Sequence, residues 1–111
     1  MKIGCDITKI EKFAKMSPAF VQKYFTKSER EYIASKENKQ QTSAGIFSAK
    51  EAVFKTFGIN DFPILSEIEI THKNNIPAVK LHGIYEKFGE TEVSISHDGE
   101  YAIAYALRKN P

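Results

Sequence analysis

The sequence contains one cysteine, Cys5, so an internal disulfide is excluded. The cysteine and the three histidines, His72, His82 and His97, are not spaced like the ligands of a structural zinc site. A single unpaired thiol is typical of a reducing compartment. These absences exclude a fold stabilised by disulfides or zinc, and they favour a cytoplasmic location.

Long hydrophobic runs are absent too. No stretch approaches the ~18 consecutive apolar residues that a membrane-spanning helix requires. The first ten residues lack the sustained apolar run that follows the lysine of a secretory signal. The sequence therefore predicts neither membrane insertion nor secretion.

A large excess of one charge is missing as well, because the formal net charge is only +2. A nucleic-acid-binding surface usually needs more positive charge than this. Lysines are nevertheless concentrated near the N-terminus, where five of them accompany one acid, Glu11. On charge alone, this segment is either a solvated helix face or a surface for an acidic partner. We call it the N-terminal lysine strip, and its members are Lys9, Lys12, Lys15, Lys23 and Lys27.

The length of 111 residues fits a single domain, residues 1–111. A domain of this size leaves much apolar surface uncovered, and 41% of the residues are hydrophobic. We therefore expect self-association.

Local patterns predict strands at both ends of the chain. Residues 1–7 alternate, with Asp6 on the row opposite Ile3, Cys5 and Ile7, which predicts a half-buried strand. Residues 93–107 alternate on both sides of Asp98-Gly99, which predicts a hairpin. Two shorter strands are predicted at 67–71 and 78–81, joined through residues 73–75, with a short helix at 83–88.

Helices are predicted between these strands. A short helix is expected after Thr8, and Ser17-Pro18 is typical of the start of another. Thr26 and Glu29 form a capping box before a helix at 27–35. A loop follows, and then the longest helix begins at Thr42 or Ser43 and ends at Phe57, before Gly58.

The longest helix carries two different faces. Its apolar stripe consists of Ile46, Ala49, Val53 and Phe57. Its second face consists of Ala44, Ser48, Glu51 and Lys55, which is small at one end and charged at the other. The elements together predict an α+β fold with an antiparallel sheet and one long central helix.

Glu51 and Lys55 are four residues apart, a spacing that often produces a plain surface ion pair. The small neighbours Ala44 and Ser48, however, leave room for a ligand or another backbone beside the carboxylate. Asp6 supplies a second hard oxygen ligand, and two carboxylates with phosphate oxygens and waters suit Mg²⁺. Spacing alone leaves open whether the two carboxylates meet.

The segment from Ser94 to Asp98 contains serine and histidine without forming a hydrolase triad. Neighbouring side chains on a strand lie on opposite faces, and no oxyanion motif accompanies them. Either these are the polar residues of a hairpin end, or His97 donates to a phosphate.

Taken in order, several segments resemble the holo-acyl-carrier-protein synthases, a family of 4′-phosphopantetheinyl transferases. The resemblance spans almost the whole chain and is weakest between residues 60 and 90. It is specific because the Asp, Lys-Glu-Ala with Lys, and Ser-His elements occur together. The segments are Gly4–Ile7, Phe25-Thr26 with Glu29, Ala44-Gly45, Phe47 with Ala49–Ala52 and Lys55, Pro77 with Leu81 and Gly83, and Ser94–Asp98 with Tyr101–Ala104.

The resemblance implies an α+β homotrimer with active sites between subunits. It implies Mg²⁺-dependent transfer of 4′-phosphopantetheine from coenzyme A to a serine of apo acyl carrier protein, with 3′,5′-ADP as the other product. The chain is short, as in stand-alone enzymes of fatty acid biosynthesis, whereas relatives that load peptide or polyketide synthases are about twice as long.

The resemblance also implies roles for individual residues. Asp6 and Glu51 are similar to the Mg²⁺ ligands, and Lys55 to the catalytic lysine beside the transferred phosphate. The coenzyme A pocket is expected to include Lys50, Lys55, Ser96 and His97. The basic first helix resembles the element that docks the carrier protein.

Two positions depart from the family pattern. Lys12 replaces an arginine that commonly docks the carrier protein, and it lacks the two-pronged guanidinium. Ile46 replaces an arginine before the phenylalanine of the long helix, so either one phosphate contact is lost or the position belongs to the core. The alternative function is a non-catalytic α+β module, for example one that binds RNA through the N-terminal lysines and strand tyrosines.

Overall fold

A 17-residue helix lies at the centre of the fold, and two small antiparallel sheets pack around it. The computed structural model describes residues 1–109. The strands are β1 (Lys2–Lys9), β2 (Ile68–Lys73), β3 (Ile76–Leu81), β4 (Thr91–Asp98) and β5 (Tyr101–Arg108). The α-helices are α1 (Pro18–Tyr24), α2 (Lys27–Ala34) and α3 (Lys39–Lys55), and 3₁₀ turns occupy Ile10–Phe13, Leu65–Glu67 and Gly83–Phe88. The α+β prediction with one long central helix is confirmed.

The larger sheet has the strand order β1-β5-β4, and the smaller one is the β2–β3 hairpin. In the larger sheet, Asp6 pairs with Ala104 of β5 and Asp98 pairs with Tyr101. The predicted hairpin at 93–107 is confirmed, and the two strands predicted at 67–71 and 78–81 are confirmed as a second antiparallel pair. Their turns contain left-handed residues, Asn74 and Asn75 in one and Gly99 in the other.

Small residues bring α3 against the larger sheet. The row of β5 that faces the helix consists of Ala102, Ala104 and Ala106, all buried. On β1, a Cβ atom added at Gly4 would lie 1.9 Å from the carbonyl oxygen of Ala52. The backbones of β1 and α3 therefore touch at this point, and only glycine permits the contact.

This close approach decides which face of β1 is buried. Gly4 and Thr8 are buried and Asp6 is half-buried, whereas Ile3 and Ile7 are 69% and 61% exposed. The predicted alternation is confirmed, but the apolar row lies on the outside of the sheet. The helix requires small side chains beneath it, so the branched ones occupy the outer face.

The start of α3 differs from the prediction by three or four residues, since the helix was expected to begin at Thr42 or Ser43 and begins at Lys39. The side chain of Asn38 caps the helix by accepting a hydrogen bond from the Gln41 N–H at 3.0 Å. The hydroxyls of Thr42 and Ser43 donate instead to backbone carbonyls four residues earlier, at 3.0 and 2.7 Å. These residues therefore lie inside the helix, which begins at Lys39.

No helix within residues 1–109 is long and apolar enough to cross a membrane.

Candidate active site

Asp6 and Lys55 meet where β1 passes over the C-terminal end of α3. The ammonium of Lys55 lies 3.4 Å from Oδ1 of Asp6 and donates a 2.8 Å hydrogen bond to the carbonyl oxygen of Cys5. Thr8 donates through Oγ1 to Oδ2 of Asp6 at 3.1 Å, and the same hydroxyl is 2.6 Å from Oγ of Ser48. The Asp6 carboxylate is thus held from both sides, and its side chain is 18% exposed.

Glu51 joins this pair one helical turn before Lys55. Burial raises the pKa of Glu51, and the charge of Asp6 raises it further, while Lys55 and Lys12 act in the opposite direction. The two carboxylates therefore repel one another, and the nearby lysines do not fully offset the combined effect of burial and repulsion. We call Asp6, Glu51 and Lys55 the carboxylate cluster.

A divalent cation suits the carboxylate cluster. Hard carboxylate oxygens are the ligands that Mg²⁺ prefers, and it commonly keeps only one or two of them, with phosphate oxygens and water completing the shell. A cation would also relieve the repulsion that raises the pKa of Glu51. No group of three or more histidine, cysteine or acidic side chains in residues 1–109 could hold a metal alone. The residues present therefore fit Mg²⁺ shared with a phosphate-bearing ligand.

A cavity of 290 Å³ opens on the other side of α3, and we call it the α2–α3 cavity. Four elements contribute to it: α2, the first half of α3, the β2–β3 hairpin and β4. Its lining residues are Tyr32, Lys36, Thr42, Gly45, Ile46, His72, Asn75, Pro77, Ile95 and His97.

The walls of the α2–α3 cavity combine aromatic rings with a cation. The rings of Tyr32 and His72 stack with their centroids 3.7 Å apart. The ammonium of Lys36 donates to Oδ1 of Asn75 at 2.7 Å and lies 4.7 Å from the centre of the Tyr32 ring. Burial lowers the pKa of His72, and the charge of Lys36 lowers it further. Flat rings beside a cation are suited to a planar, anionic ligand.

His97 enters the α2–α3 cavity because Gly45 leaves space for it. A Cβ atom at Gly45 would lie 2.8 Å from Nε2 of His97. Burial lowers the pKa of His97, and a hydrogen bond with the backbone of Gln41 partly opposes that shift.

Comparison with known proteins identifies the family of the chain. The sequence model of the 4′-phosphopantetheinyl transferase superfamily matches residues 2–106. The chain belongs to this superfamily. A holo-[acyl-carrier-protein] synthase of Clostridium acetobutylicum is 41% identical over 118 residues, which cover 95% of this chain and 94% of the relative. Fatty acid synthase subunit alpha of Saccharomyces cerevisiae is 38% identical over 115 residues, and there the match covers 95% of this chain but only 6% of the subunit.

Solved structures of superfamily members have the same fold. The holo-[acyl-carrier-protein] synthase of Helicobacter pylori, in complex with coenzyme A, superposes with a TM-score of 0.81 and 27% identity, covering 96% of this chain and 99% of that one. A holo-(acyl-carrier-protein) synthase from Bacillus anthracis superposes with a TM-score of 0.80 and 26% identity, covering 99% and 94%.

The structure places Lys50 far from solvent, unlike the other predicted pocket residues. Its side chain is 0% exposed and forms an ion pair with Glu29, whose side chain is also 0% exposed. Burial lowers the pKa of Lys50, although the Glu29 carboxylate opposes the shift. The expectation that Lys50 contacts coenzyme A does not agree with this placement, because no ligand can reach its ammonium.

Ser96 does not reach the α2–α3 cavity, whereas Ile46 occupies the core position that its helical stripe predicts. Ser96 is exposed on the outer face of β4 and does not line the α2–α3 cavity, since it alternates with His97 along the strand. Ile46 is 1% exposed and belongs to the core, while its side chain also forms part of the cavity wall. The helical stripe had indicated the core position.

Sequence reasoning did not identify four of the residues that line the α2–α3 cavity, namely Tyr32, Lys36, His72 and Asn75. The stacked pair Tyr32–His72 joins residues 40 positions apart, on α2 and β2. No spacing rule connects such positions, and only the polar composition of residues 72–75 hinted at a role.

Proposed function

We propose that this chain transfers 4′-phosphopantetheine from coenzyme A to a serine of apo acyl carrier protein, releasing 3′,5′-ADP. The observation that carries the proposal is the carboxylate cluster, in which Asp6, Glu51 and Lys55 come together from two elements 45 residues apart in sequence. Membership of the superfamily and the cavity that contains His97 support it. A cytoplasmic location agrees with the free thiol of Cys5.

In this proposal Asp6 and Glu51 would hold Mg²⁺, which would supply Lewis-acid stabilisation of the charge on the phosphoryl group. The serine oxygen forms a bond to the β-phosphorus of coenzyme A as the bond to 3′,5′-ADP breaks. Charge then spreads over the phosphate oxygens, and the ammonium of Lys55 lies beside them. The Cys5 carbonyl fixes that ammonium in place before the substrate arrives.

The serine proton needs an acceptor. The Glu51 carboxylate can receive it directly or through a water molecule. The α2–α3 cavity is the proposed site for the nucleotide end of coenzyme A, where His97 and Lys36 supply donors to its phosphates.

The reaction is tested by intact-mass analysis of apo acyl carrier protein incubated with this protein, coenzyme A and Mg²⁺. We expect a mass increase of one 4′-phosphopantetheine group. The increase should disappear when a chelator removes Mg²⁺ or when the acceptor serine of the carrier is replaced by alanine. An unmodified carrier at high enzyme concentration would refute the proposed reaction.

The proposed homotrimer rests on the outer face of the larger sheet. Four large apolar side chains are exposed there: Ile3 (69%), Ile7 (61%), Tyr101 (41%) and Tyr105 (54%). They form one apolar patch on the paired strands β1 and β5. Such a patch is typical of a protein interface. An interface at this patch also explains why Tyr101 and Tyr105 are exposed, without requiring that they bind RNA.

We expect sedimentation equilibrium to give a trimer, and Ile3→Asp with Tyr105→Asp to give a monomer, because charges would be buried in the interface. The matched control is Ile84→Asp, which changes an isoleucine that is 59% exposed on the turn Gly83–Phe88. This control should remain a trimer. A monomeric wild type at assay concentration would count against the assembly.

The N-terminal lysine strip is the proposed docking surface for the acidic carrier protein. Lys12, Lys15, Met16 and Phe20 surround a shallow cavity of 140 Å³ in front of α1. The ammonium of Lys12 lies 4.4 Å from the centre of the Phe47 ring, and its charge acts on Glu51. Lys12 therefore belongs to the docking surface and also lies near the carboxylate cluster.

Lys12→Glu should raise the KM for the carrier protein by roughly five- to tenfold, with a smaller change in the KM for coenzyme A, because attraction between charged partners is lost. The control is Lys87→Glu, the same charge change at an exposed site outside the strip. The effect of Lys12→Glu should shrink as salt is added. Equal effects on both KM values would place Lys12 at another step.

A further inference from the structure

The ion pair between Lys50 and Glu29 has no role in the mechanism above. The Lys50 ammonium lies 2.5 Å from Oε1 of Glu29, and neither side chain is exposed. Removing two charges from water is costly, and well-packed apolar residues often replace such a pair without loss of stability. The pair therefore needs an explanation other than the stability of the core.

The Glu29 carboxylate joins three elements of the fold. Its Oε1 accepts the backbone N–H of Thr26 at 2.8 Å, at the start of α2, as well as the ammonium of Lys50 on α3. Its Oε2 accepts the backbone N–H of Ile70 at 2.7 Å, on β2. One buried side chain thus ties α2, α3 and β2 together.

These three elements form most of the α2–α3 cavity. Tyr32 and Lys36 follow Glu29 along α2 and its C-terminal extension, and Gly45 and Ile46 precede Lys50 on α3. His72 is two residues beyond Ile70 on β2, roughly 7 Å along the strand. Any shift of β2 at Ile70 would therefore move His72 relative to Tyr32, against which it stacks.

We propose that Glu29 and Lys50 are positioning residues that hold the β2–β3 hairpin and α2 at a set distance from α3 and so preform the α2–α3 cavity. Lys50 supplies the charge that balances the buried Glu29 carboxylate, and Glu29 uses both oxygens to fix backbone groups on two elements. This inference rests on the proposed function in one respect, that the cavity receives the nucleotide end of coenzyme A. The pair then acts on donor affinity and leaves the transfer step unchanged.

The test compares Lys50→Met, Glu29→Gln and the double variant. Each single variant leaves one member of the pair buried without its charged partner, so its melting temperature should fall. The double variant buries no charge and should regain most of the lost stability. The glutamine introduced by Glu29→Gln, however, has one acceptor oxygen where the glutamate has two, so the N–H groups of Thr26 and Ile70 can no longer both be held.

In the double variant we expect the KM for coenzyme A and the inhibition constant of 3′,5′-ADP to rise by about tenfold or more, with kcat within about twofold of wild type. If the pair has only a structural role, the result differs. The KM for coenzyme A and the inhibition constant of 3′,5′-ADP then return to their wild-type values together with the melting temperature. A smaller folded fraction would lower the apparent kcat and leave KM unchanged. Glu31→Gln, the same change at an exposed position of α2, is the matched control and should behave as wild type.

Hydrogen exchange gives a readout that does not need activity. In the double variant, the amides of Ile68–Leu81 should exchange faster than in wild type, while those of Thr91–Arg108 should not change. Unchanged exchange in the β2–β3 hairpin would overturn the positioning role, whether or not the chain modifies a carrier protein. A wild type that leaves the carrier unmodified would refute the proposed function alone.

Discussion

Replacing Glu51 by glutamine should lower kcat/KM for carrier-protein modification by about 10³-fold or more, because a metal ligand contributes several kcal/mol and each 1.4 kcal/mol corresponds to tenfold in rate. The same change removes the proposed base. Asp6→Asn should cause a loss of similar size, since it removes the other carboxylate of the cluster. Activity is measured by intact mass of the carrier across a range of Mg²⁺ concentrations.

The same variant should be at least as stable as wild type. Burial and the charge of Asp6 raise the pKa of Glu51 above its ordinary value of 4.5, so the ionised form destabilises the folded protein. This penalty is absent below pH 4.5 and appears as the pH rises through the higher folded-state pKa. In the absence of Mg²⁺, Glu51→Gln should therefore melt at an equal or higher temperature than wild type at pH 7, with the difference vanishing near pH 4.

These measurements separate a metal ligand from a structural residue. A large fall in melting temperature with activity proportional to the folded fraction would identify Glu51 as structural. Full activity of Glu51→Gln or Asp6→Asn would refute the assignment of the metal ligands.

Replacing Lys55 by methionine should lower kcat by about 10²-fold or more while raising the KM for coenzyme A much less, because its cation is needed most when charge builds on the transferred phosphate. The variant should remain folded. The Lys55 side chain is 52% exposed and its ion pair with Asp6 spans 3.4 Å, so the pair contributes about 0 to 1 kcal/mol to the free energy of unfolding.

Two control variants test whether the effect of Lys55→Met depends on the charge of the side chain and on its position. Lys55→Arg keeps the charge and should retain more activity than Lys55→Met, although a guanidinium cannot reproduce the compact ammonium held by the Cys5 carbonyl. Lys87→Glu should have no effect on kcat. A Lys55→Met enzyme with normal kcat and only weaker coenzyme A binding would contradict the role in transfer.

The close contact between β1 and α3 explains both the outward orientation of the apolar residues of β1 and the exposed patch on which the trimer prediction rests. A half-buried strand normally places its apolar row inward, yet here Ile3 and Ile7 face outward and Gly4 lies beneath α3. The alternation in the sequence is compatible with either orientation. Only the contact between Gly4 and Ala52 shows which row the helix can accept.

Lys50 shows a second limit of sequence reasoning. It stands next to Glu51 in a motif whose other charged members belong to the carboxylate cluster, so the resemblance suggested an exposed role. In the structure it is buried against Glu29, 21 residues earlier in the chain. The sequence predicts Glu29 as half of a capping box, and the structure confirms that role.

The sequence by itself determined the elements whose signals are local: the capping box at Thr26, the turns at Asn74–Asn75 and Gly99, the long helix, and the residue types of the carboxylate cluster. These depend on hydrogen bonds and backbone angles within about four residues. The tertiary structure decided the outward face of β1, the burial of Lys50 and the four-sided cavity around His97. Each of those depends on how closely small residues let distant segments approach, and a periodic pattern in one segment carries no information about that distance.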